Sequence, residues 1–198
     1  MNQIDTAFFT KEDRIRYLAF RLSLSDEPLN IYDLEDEIYV SHTTLEHDLH
    51  YLKMKYVLSD PFISLIQKKD TLSFEKNEKK RRIVLNYLFY EDWNYNTGGN
   101  TYYGYNFLNK EILEYIMEEC PIHLSKYHIK MEDPSLVSLN LSIAIMYHRI
   151  QSGHPLPNTA PIPRSDTQAS FAAQSLMDTL EKHLHCSFNQ EEKDDIYL

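Results

Sequence analysis

Residues 31–53 read IYDLEDEIYVSHTTLEHDLHYLK, and this stretch decides how the first half of the chain folds. Asn30 just before it and Ser41 within it are good helix caps, because short polar side chains bond the free amides of a first helical turn. Apolar residues then recur at helical spacing, at Ile31, Leu34 and Ile38 and again at Leu45, Leu49, Leu52 and Tyr56. The pattern therefore predicts two helices, 31–38 and 42–53, joined by the short turn 39–41.

The flanks of this stretch add a third helix and a hairpin. Thr10 and Asp13 have the spacing of a capping box, and the helix they begin carries an apolar stripe up to Leu22. Beyond the stretch, residues 63–66 and 71–74 are short apolar and β-branched runs around Lys68, Lys69 and Asp70, which predicts a β-hairpin. Helix, helix, turn, helix and hairpin is the order of a winged helix-turn-helix, which we assign to residues 8–76.

The rest of the chain has mainly helical periodicity. A helix from Asn77 is predicted to bury Ile83, Val84, Tyr87 and Leu88. A loop rich in Gly, Tyr and Asn follows it, and we assign the helix and the loop together to a connector, residues 77–106. Residues 107–198 are predicted to form an all-α bundle. Its expected helices are about 107–119, one from Pro121, one from a cap at Asp133 to Gln151, one from 165–168 to about His185, and one from Asn189. The fold class is mainly α, and we expect the last domain to be truncated at its C-terminus.

Composition narrows the function. The chain has 198 residues, 42% of them hydrophobic, and a formal net charge of −10, which excludes a generally basic nucleic-acid coat protein. Residues 1–82 hold 13 basic and 15 acidic side chains (net −2), whereas the remainder holds 7 and 15 (net −8), so basic residues concentrate in the first part. Of four glycines, Gly98, Gly99 and Gly104 share a segment without lysine, which excludes a phosphate-binding P-loop. Two distant cysteines and no long apolar run favour a cytoplasmic protein outside the membrane.

A winged helix-turn-helix inserts the second helix of its helix-turn-helix pair, here residues 42–53, into the DNA major groove. The first turn of that helix faces the bases. The candidate residues of that turn are Ser41, His42, Thr43, Thr44 and His47. Phosphate contacts are predicted for basic residues in and beside the hairpin, namely Lys53, Lys55, Lys68, Lys69 and Arg81. Glu46 and Asp48 on the predicted helix 42–53 are expected to oppose the binding of DNA.

Particular segments resemble a known group of regulators. Residues 14–22, 27–29 and 37–41 resemble the N-terminal winged helix of bacterial antiterminator-like and mannitol-operon-type transcriptional activators. In those proteins the winged helix precedes a phosphotransferase-system regulation domain, or PRD. Residues 134–153, PSLVSLNLSIAIMYHRIQSG, resemble the PRD helix that carries a phosphorylatable histidine, and 188–198 resemble the acidic start of a later PRD helix. The resemblance covers about 10–92 and 121–198.

The resemblance implies a dimeric, cytoplasmic regulator of a phosphotransferase-linked carbohydrate operon that binds double-stranded DNA. With Arg149 and Gly153 matched to the family pattern, the family histidine falls on Ser142, and His148 lies on a different helix face from Ser142. Serine cannot take phosphate from the sugar phosphotransferase relay. We therefore expect this PRD to be a constitutive structural and dimerisation unit, with phosphotransferase proteins acting on segments beyond Leu198.

Other function classes have less support. The net acidity and Glu46 leave open a protein-interaction module whose helix-turn-helix no longer binds DNA. An RNA-binding antiterminator is disfavoured, because those members have a small all-β domain where this chain is helical. No metal, cofactor or enzyme activity is predicted: the histidines near Cys186 lack ligand geometry, and the adjacent acidic pairs point different ways on a helix.

Overall fold

The computed structural model describes residues 10–95, 107–157 and 167–196. The chain divides into two compact units, Met1–Leu88 and Phe89–Leu198. The division falls inside the helix that begins at Glu78, within the segment that the sequence assigned to a connector. The three glycines of the predicted loop lie outside the described residues.

The first unit combines helices with a small antiparallel sheet. Its elements in chain order are α1 (Lys11–Leu24), β1 (Leu29–Asn30), α2 (Ile31–Ile38), α3 (His42–Leu52) with a π-helical turn (Lys53–Val57), β2 (Leu65–Lys68), β3 (Thr71–Phe74) and the start of α4 (Glu78–Tyr95). The sheet order is β1-β3-β2, with Leu29 opposite Leu72 and Leu65 opposite Phe74. The predicted order of three helices and a hairpin is confirmed.

The predicted caps are confirmed as hydrogen bonds. Thr10 and Asp13 form a reciprocal capping box at α1, in which each backbone amide donates to the other side chain. Asn30 accepts from the Tyr32 amide at 2.8 Å at the start of α2, and the Ser41 hydroxyl accepts from the Thr44 amide at 3.3 Å at the start of α3. Each such cap stabilises its helix by about 1 kcal/mol.

The apolar stripes of α1, α2 and α3 meet the hairpin in one core. Its most deeply buried members are Leu18, Leu22, Leu34, Leu45, Leu52, Tyr56, Ile63, Leu72 and Phe74. Each buried aliphatic side chain contributes about 1.5–3 kcal/mol relative to exposure. This core fixes where α3 and the hairpin stand.

Three details of the first unit differ from the sequence prediction. Strand β2 starts at Leu65 rather than residue 63, and a third strand, β1, pairs with β3. On α4, Ile83 and Tyr87 are exposed, whereas the prediction buried them. The helix is rotated because Arg81 is buried and donates to the backbone carbonyls of Ser25, Phe74 and Glu75.

The second unit is a helical bundle. It contains the end of α4, then α5 (Lys110–Lys126), α6 (Asp133–Gln151), α7 (Gln168–Leu184) and α8 (Gln190–Asp195). The apolar faces of α5, α6 and α7 build its core, from residues such as Ile116, Leu141, Ile145, Leu176 and Leu180. Together with the small sheet of the first unit, these helices confirm the mainly α fold class.

Two predicted helix ends in this unit are wrong. The helix predicted to start at Pro121 is the second half of α5, which runs through the proline. Proline removes one helical hydrogen bond, but burial of Cys120 and Leu124 on either side holds the helix together. The cap of α6 is Glu132, and Asp133 is its first residue. The helix predicted at about 107–119 begins at Lys110, with its cap at Asn109. The later ends agree: Gly153 has φ of +87° just past α6, and Thr167 and Asn189 cap α7 and α8.

Candidate nucleic-acid interface

The first turn of α3 is presented to solvent. Tyr39 has a left-handed conformation (φ 54°) that ends α2 and reverses the chain. Ser41, His42, Thr43 and His47 are exposed, and Thr44 is half-buried with its hydroxyl 3.0 Å from that of Ser41. Ser41–Thr44 therefore lie at one helix N-terminus, where amides and the helix dipole favour a phosphate, and His47 lies in the next turn of the same helix.

A buried ion pair holds α3 against α1. The Arg14 guanidinium donates to the Asp48 carboxylate from Nε at 2.6 Å and from Nη2 at 3.2 Å, and the Asp48 side chain is only 2% exposed. The sequence prediction that Asp48 opposes DNA binding is therefore wrong, since its charge is buried and neutralised. Glu46 is exposed and remains the acidic residue of that surface.

A second set of charged side chains joins α1 to α2. Glu37 accepts from Arg21 at 2.9 and 3.2 Å and from the hydroxyl of Tyr17. Burial, and then the bond to Glu37, raises the pKa of Tyr17 well above its usual range, so the phenol stays protonated. These contacts fix α2, and with it the turn that leads into α3.

His42 is surrounded by carboxylates. Its Nδ1 lies 2.5 Å from Glu35 on α2 and its Nε2 lies 3.5 Å from Glu46 on α3. The hydrogen bond to Glu35 is the main reason that the pKa of His42 is raised, and the charges of Glu35, Glu46 and Asp70 add to it. The imidazolium form, a double donor, is therefore favoured at this position.

The turn of the hairpin is bonded to the start of α2. Lys68, Lys69 and Asp70 are exposed, and Lys69 takes the left-handed conformation (φ 50°) that the turn requires. The Ile31 amide at the start of α2 donates to the Asp70 carbonyl at 2.8 Å, and the Asp70 charge acts on His42. The two-lysine turn is therefore tied to the start of α2, the helix that precedes α3.

The other predicted phosphate contacts are placed differently. Lys53 and Lys55 are half-buried in the π-helical turn, and the Lys55 ammonium lies 5.5 Å from the Tyr56 ring centroid. The sequence prediction of Arg81 as a surface cation for phosphate contact is wrong, because Arg81 is buried against backbone carbonyls. The sequence did not predict the roles of Arg14, which positions α3, and of Glu35, which positions His42. Arg14 lies 34 residues from its partner Asp48, and Glu35 lies seven residues from His42.

In the second unit, the three residues selected from the PRD-like helix share α6. Ser142 is half-buried and Arg149 is buried. His148 is half-buried with its ring 3.9 Å from that of Phe107, and burial, followed by the charge of Arg149, lowers the pKa of His148. His148 therefore favours the neutral form.

Comparison with known families bears on this second unit. Residues 110–198 match the family model of the PRD domain. The match begins at the first residue of α5 and spans α6, α7 and α8, which is where the sequence resemblance placed a PRD. PRD domains occur in transcription regulators that are controlled by phosphotransferase-system phosphorylation. No curated protein matches the chain.

The matched residues 110–198, called the PRD segment below, also contain His183, which stacks on Tyr115 at 3.5 Å between ring centroids. Within residues 10–95, 107–157 and 167–196, no three His, Cys, Asp or Glu side chains group as metal ligands. No helix of the described part is long and apolar enough to cross a membrane.

The environment of His42 leads to a measurable prediction about its pKa. Glu35→Gln should lower the pKa of His42, because it removes the carboxylate that accepts its main hydrogen bond. Since the folded-state pKa is raised, the pair stabilises the fold below the ordinary histidine pKa and loses that contribution as pH rises through the raised value. An NMR titration of the His42 ring measures the shift. Glu46→Gln is the control and should lower the pKa less; equal shifts would contradict the assigned geometry.

Proposed function

We propose that the chain is a DNA-binding transcription regulator of a phosphotransferase-linked carbohydrate operon. In this proposal, residues 8–76 are a winged helix-turn-helix that reads duplex DNA as a dimer, and the PRD segment carries regulation. The observation that carries the proposal is the exposure of the N-terminal turn of α3 and of the two-lysine turn of the hairpin, which the hydrogen bond from Ile31 to Asp70 ties to the start of α2. We call the residues Ser41–Thr44, His47, Lys68 and Lys69 together the α3–hairpin surface.

The chemistry of the α3–hairpin surface divides between bases and phosphates. His42, Thr43 and His47 carry donors and acceptors on a helix end of the size that fits the major groove. Lys68 and Lys69 are point charges on a turn, suited to the phosphate backbone, and Lys53 and Lys55 can add contacts from the end of α3. The helix N-terminus itself favours one phosphate.

His42 is best suited to contact DNA in its protonated form. As an imidazolium it offsets Glu35 and Glu46, which would otherwise repel the duplex. Because the pKa of His42 is raised, this compensation persists to a higher pH than at an ordinary histidine and fades as the pH rises further. Binding should therefore weaken with increasing pH.

The PRD segment is proposed to dimerise and transmit a signal without accepting phosphate at Ser142. A phosphohistidine would add charge at a packing interface, whereas a half-buried serine among Leu141 and Ile143 offers the relay no imidazole. No catalytic role is proposed for either unit.

This proposal predicts no phosphohistidine in the chain. Incubation with purified phosphotransferase relay proteins and phosphoenolpyruvate should leave it without stoichiometric acid-labile phosphate. A Ser142→His variant is the matched test, because it restores the family residue at the same α6 position. Acid-labile phosphate on His148 or His154 of the unaltered chain would show that this domain is itself a phosphorylation switch.

Selection from a random duplex pool tests the DNA-binding proposal. The full chain should enrich a motif present as two half-sites, at a pH below the raised pKa of His42. The Lys68→Ala/Lys69→Ala variant should retain weaker binding to the same motif. Absence of enrichment at low salt would favour the second candidate, an interaction module that does not bind DNA, which is supported by the exposed carboxylate of Glu46.

A further inference from the structure

The small sheet of the first unit has a cavity on the face turned away from the core. Leu72 of β3 is buried in the core, so its neighbours Thr71 and Ser73 lie on the opposite face, because side chains alternate along a strand. On β2, Lys68 and Ile66 are paired with these two residues and share their face. The cavity that they line, called the sheet cavity below, has a volume of about 320 Å³, the size of a site for a small molecule.

One wall of the sheet cavity is fixed by Arg81, which is only 4% exposed. Its guanidinium donates to the carbonyl of Ser25 at 2.8 Å and to the carbonyl of Phe74 at 2.9 Å. These bonds join the segment after α1 to the end of β3, and Asp26 and Pro28 of that segment line the cavity. Its shape is therefore set by buried hydrogen bonds of the fold.

The lining of the sheet cavity has an excess of positive charge. Lys68, Lys76 and Arg81 contribute to it, against the single carboxylate of Asp26. Within residues 10–95, 107–157 and 167–196, neither lysine ammonium has a hydrogen-bond or ion-pair partner, and the Ser73 hydroxyl has none either. Two ammonium groups and a hydroxyl around one concave surface are suited to an anion that carries two negative charges.

The other part of the lining is apolar. It includes Pro28, Phe74 and Ile66, which is 40% exposed. An inorganic anion would leave these side chains in water, whereas a ligand with an anionic group and a compact apolar body contacts both parts of the cavity. A phosphate monoester meets the charge requirement, because it carries a charge of about −1.5 to −2 at neutral pH. A carboxylate carries only one negative charge.

We propose that the sheet cavity binds a small phosphate monoester with an apolar body. The phosphate lies between Lys68 and Lys76, the Ser73 hydroxyl donates to it, and the apolar body packs on Ile66. The site itself is independent of DNA binding. Its effect on regulation rests on the proposed function, because Lys68 also belongs to the α3–hairpin surface. A bound ligand would occupy an ammonium that otherwise contacts the duplex, and would weaken the binding of DNA.

Titration of the isotope-labelled full chain with phenyl phosphate, followed by NMR, tests the site without DNA. The amide signals of Ser73 and Lys76 should shift until the site is saturated. Lys68→Gln and Lys76→Gln should each raise the Kd about fivefold or more, because each removes a charge-assisted hydrogen bond. Lys69→Gln is the matched control. It removes an exposed lysine of the same hairpin that does not line the cavity, and should leave the Kd unchanged.

Three further probes test the class of ligand. Inorganic phosphate lacks the apolar body, phenol lacks the anion, and benzoate carries only one negative charge. Each should bind about threefold or more weakly than phenyl phosphate, because each contacts only part of the cavity or its charge. Equal affinity for any of the three, or equal effects of Lys69→Gln and Lys76→Gln on the binding of phenyl phosphate, would overturn the proposed site.

Binding of a duplex separates the sheet cavity from the proposed function. Without ligand, Lys76→Gln should weaken duplex binding less than Lys68→Gln does, and an equal loss would mean that the cavity holds a DNA phosphate instead of a small molecule. Saturating phenyl phosphate should weaken duplex binding by the unaltered chain more than by Lys76→Gln at the same concentration. Equal effects on both would overturn the effect on regulation. If phenyl phosphate binds as expected but no duplex does, the site stands and the DNA-binding proposal fails.

Discussion

Replacing Asp48 by alanine is expected to lower the free energy of unfolding by about 3–5 kcal/mol, because it leaves the largely buried guanidinium of Arg14 without its carboxylate. The pair is bidentate, at 2.6 and 3.2 Å, and it joins α3 to α1. Loss of the carboxylate should therefore destabilise the helix that presents the α3–hairpin surface. Urea titration followed by helical circular dichroism measures the change, and amide exchange in α1 and α3 locates it.

Glu46→Ala is the matched control for Asp48→Ala, two residues earlier on the same helix and exposed. It should change the free energy of unfolding by no more than about 0.5 kcal/mol. The double variant Arg14→Met/Asp48→Leu should recover most of the lost stability, because it leaves no buried charge unpaired. Equal effects of Asp48→Ala and Glu46→Ala would mean that the ion pair does not anchor α3.

Replacing His42 by alanine is expected to lower the preference for specific over random duplexes by about 1–3 kcal/mol, the free energy of one base contact. Thr43→Ala should act in the same way, since it lies beside His42 on the exposed first turn of α3. Binding to the selected motif should fall by more than binding to random DNA, which in His42→Ala loses only the charge that offsets Glu35 and Glu46. Competition binding with both duplexes at fixed salt measures the ratio.

His50→Ala is the control for His42→Ala. It removes an exposed histidine from the other end of α3, where its ring meets Tyr51 edge-on at 5.7 Å. The specificity ratio should be unchanged in this variant. If His42→Ala and His50→Ala weaken specific and random binding alike, the base-reading surface lies elsewhere on the unit.

Much of the first unit follows from local sequence signals. Thr10, Asn30 and Ser41 are caps in the sequence and in the structure, because a capping bond involves residues only two or three positions apart. The stripe of Leu45, Leu49 and Leu52 identified the buried side of α3 and hence its exposed first turn. For the same reason, Ser41, His42, Thr43 and His47 were recognised as candidates from the sequence.

What the sequence did not predict depends on distant partners. From the sequence, Arg81 is predicted to be a surface cation. In the structure it is buried and donates to three backbone carbonyls, one of which belongs to Ser25, 56 residues away. Its burial turns Ile83 and Tyr87 outward on α4. From the sequence, Asp48 is predicted to be an acidic residue facing DNA, whereas the structure pairs it with Arg14. A pattern along one helix cannot reveal either partner, because both come from other elements of the fold.

The most direct test of the central claim, that the α3–hairpin surface binds duplex DNA, is the salt dependence of binding to the selected duplex. We expect the logarithm of the binding constant to fall linearly with the logarithm of salt concentration, as phosphate contacts by cations require. Lys68→Ala/Lys69→Ala should weaken binding to all duplexes alike and flatten that slope by about one or two units. An unchanged slope in this variant, or no binding to any duplex at low salt, would contradict the account.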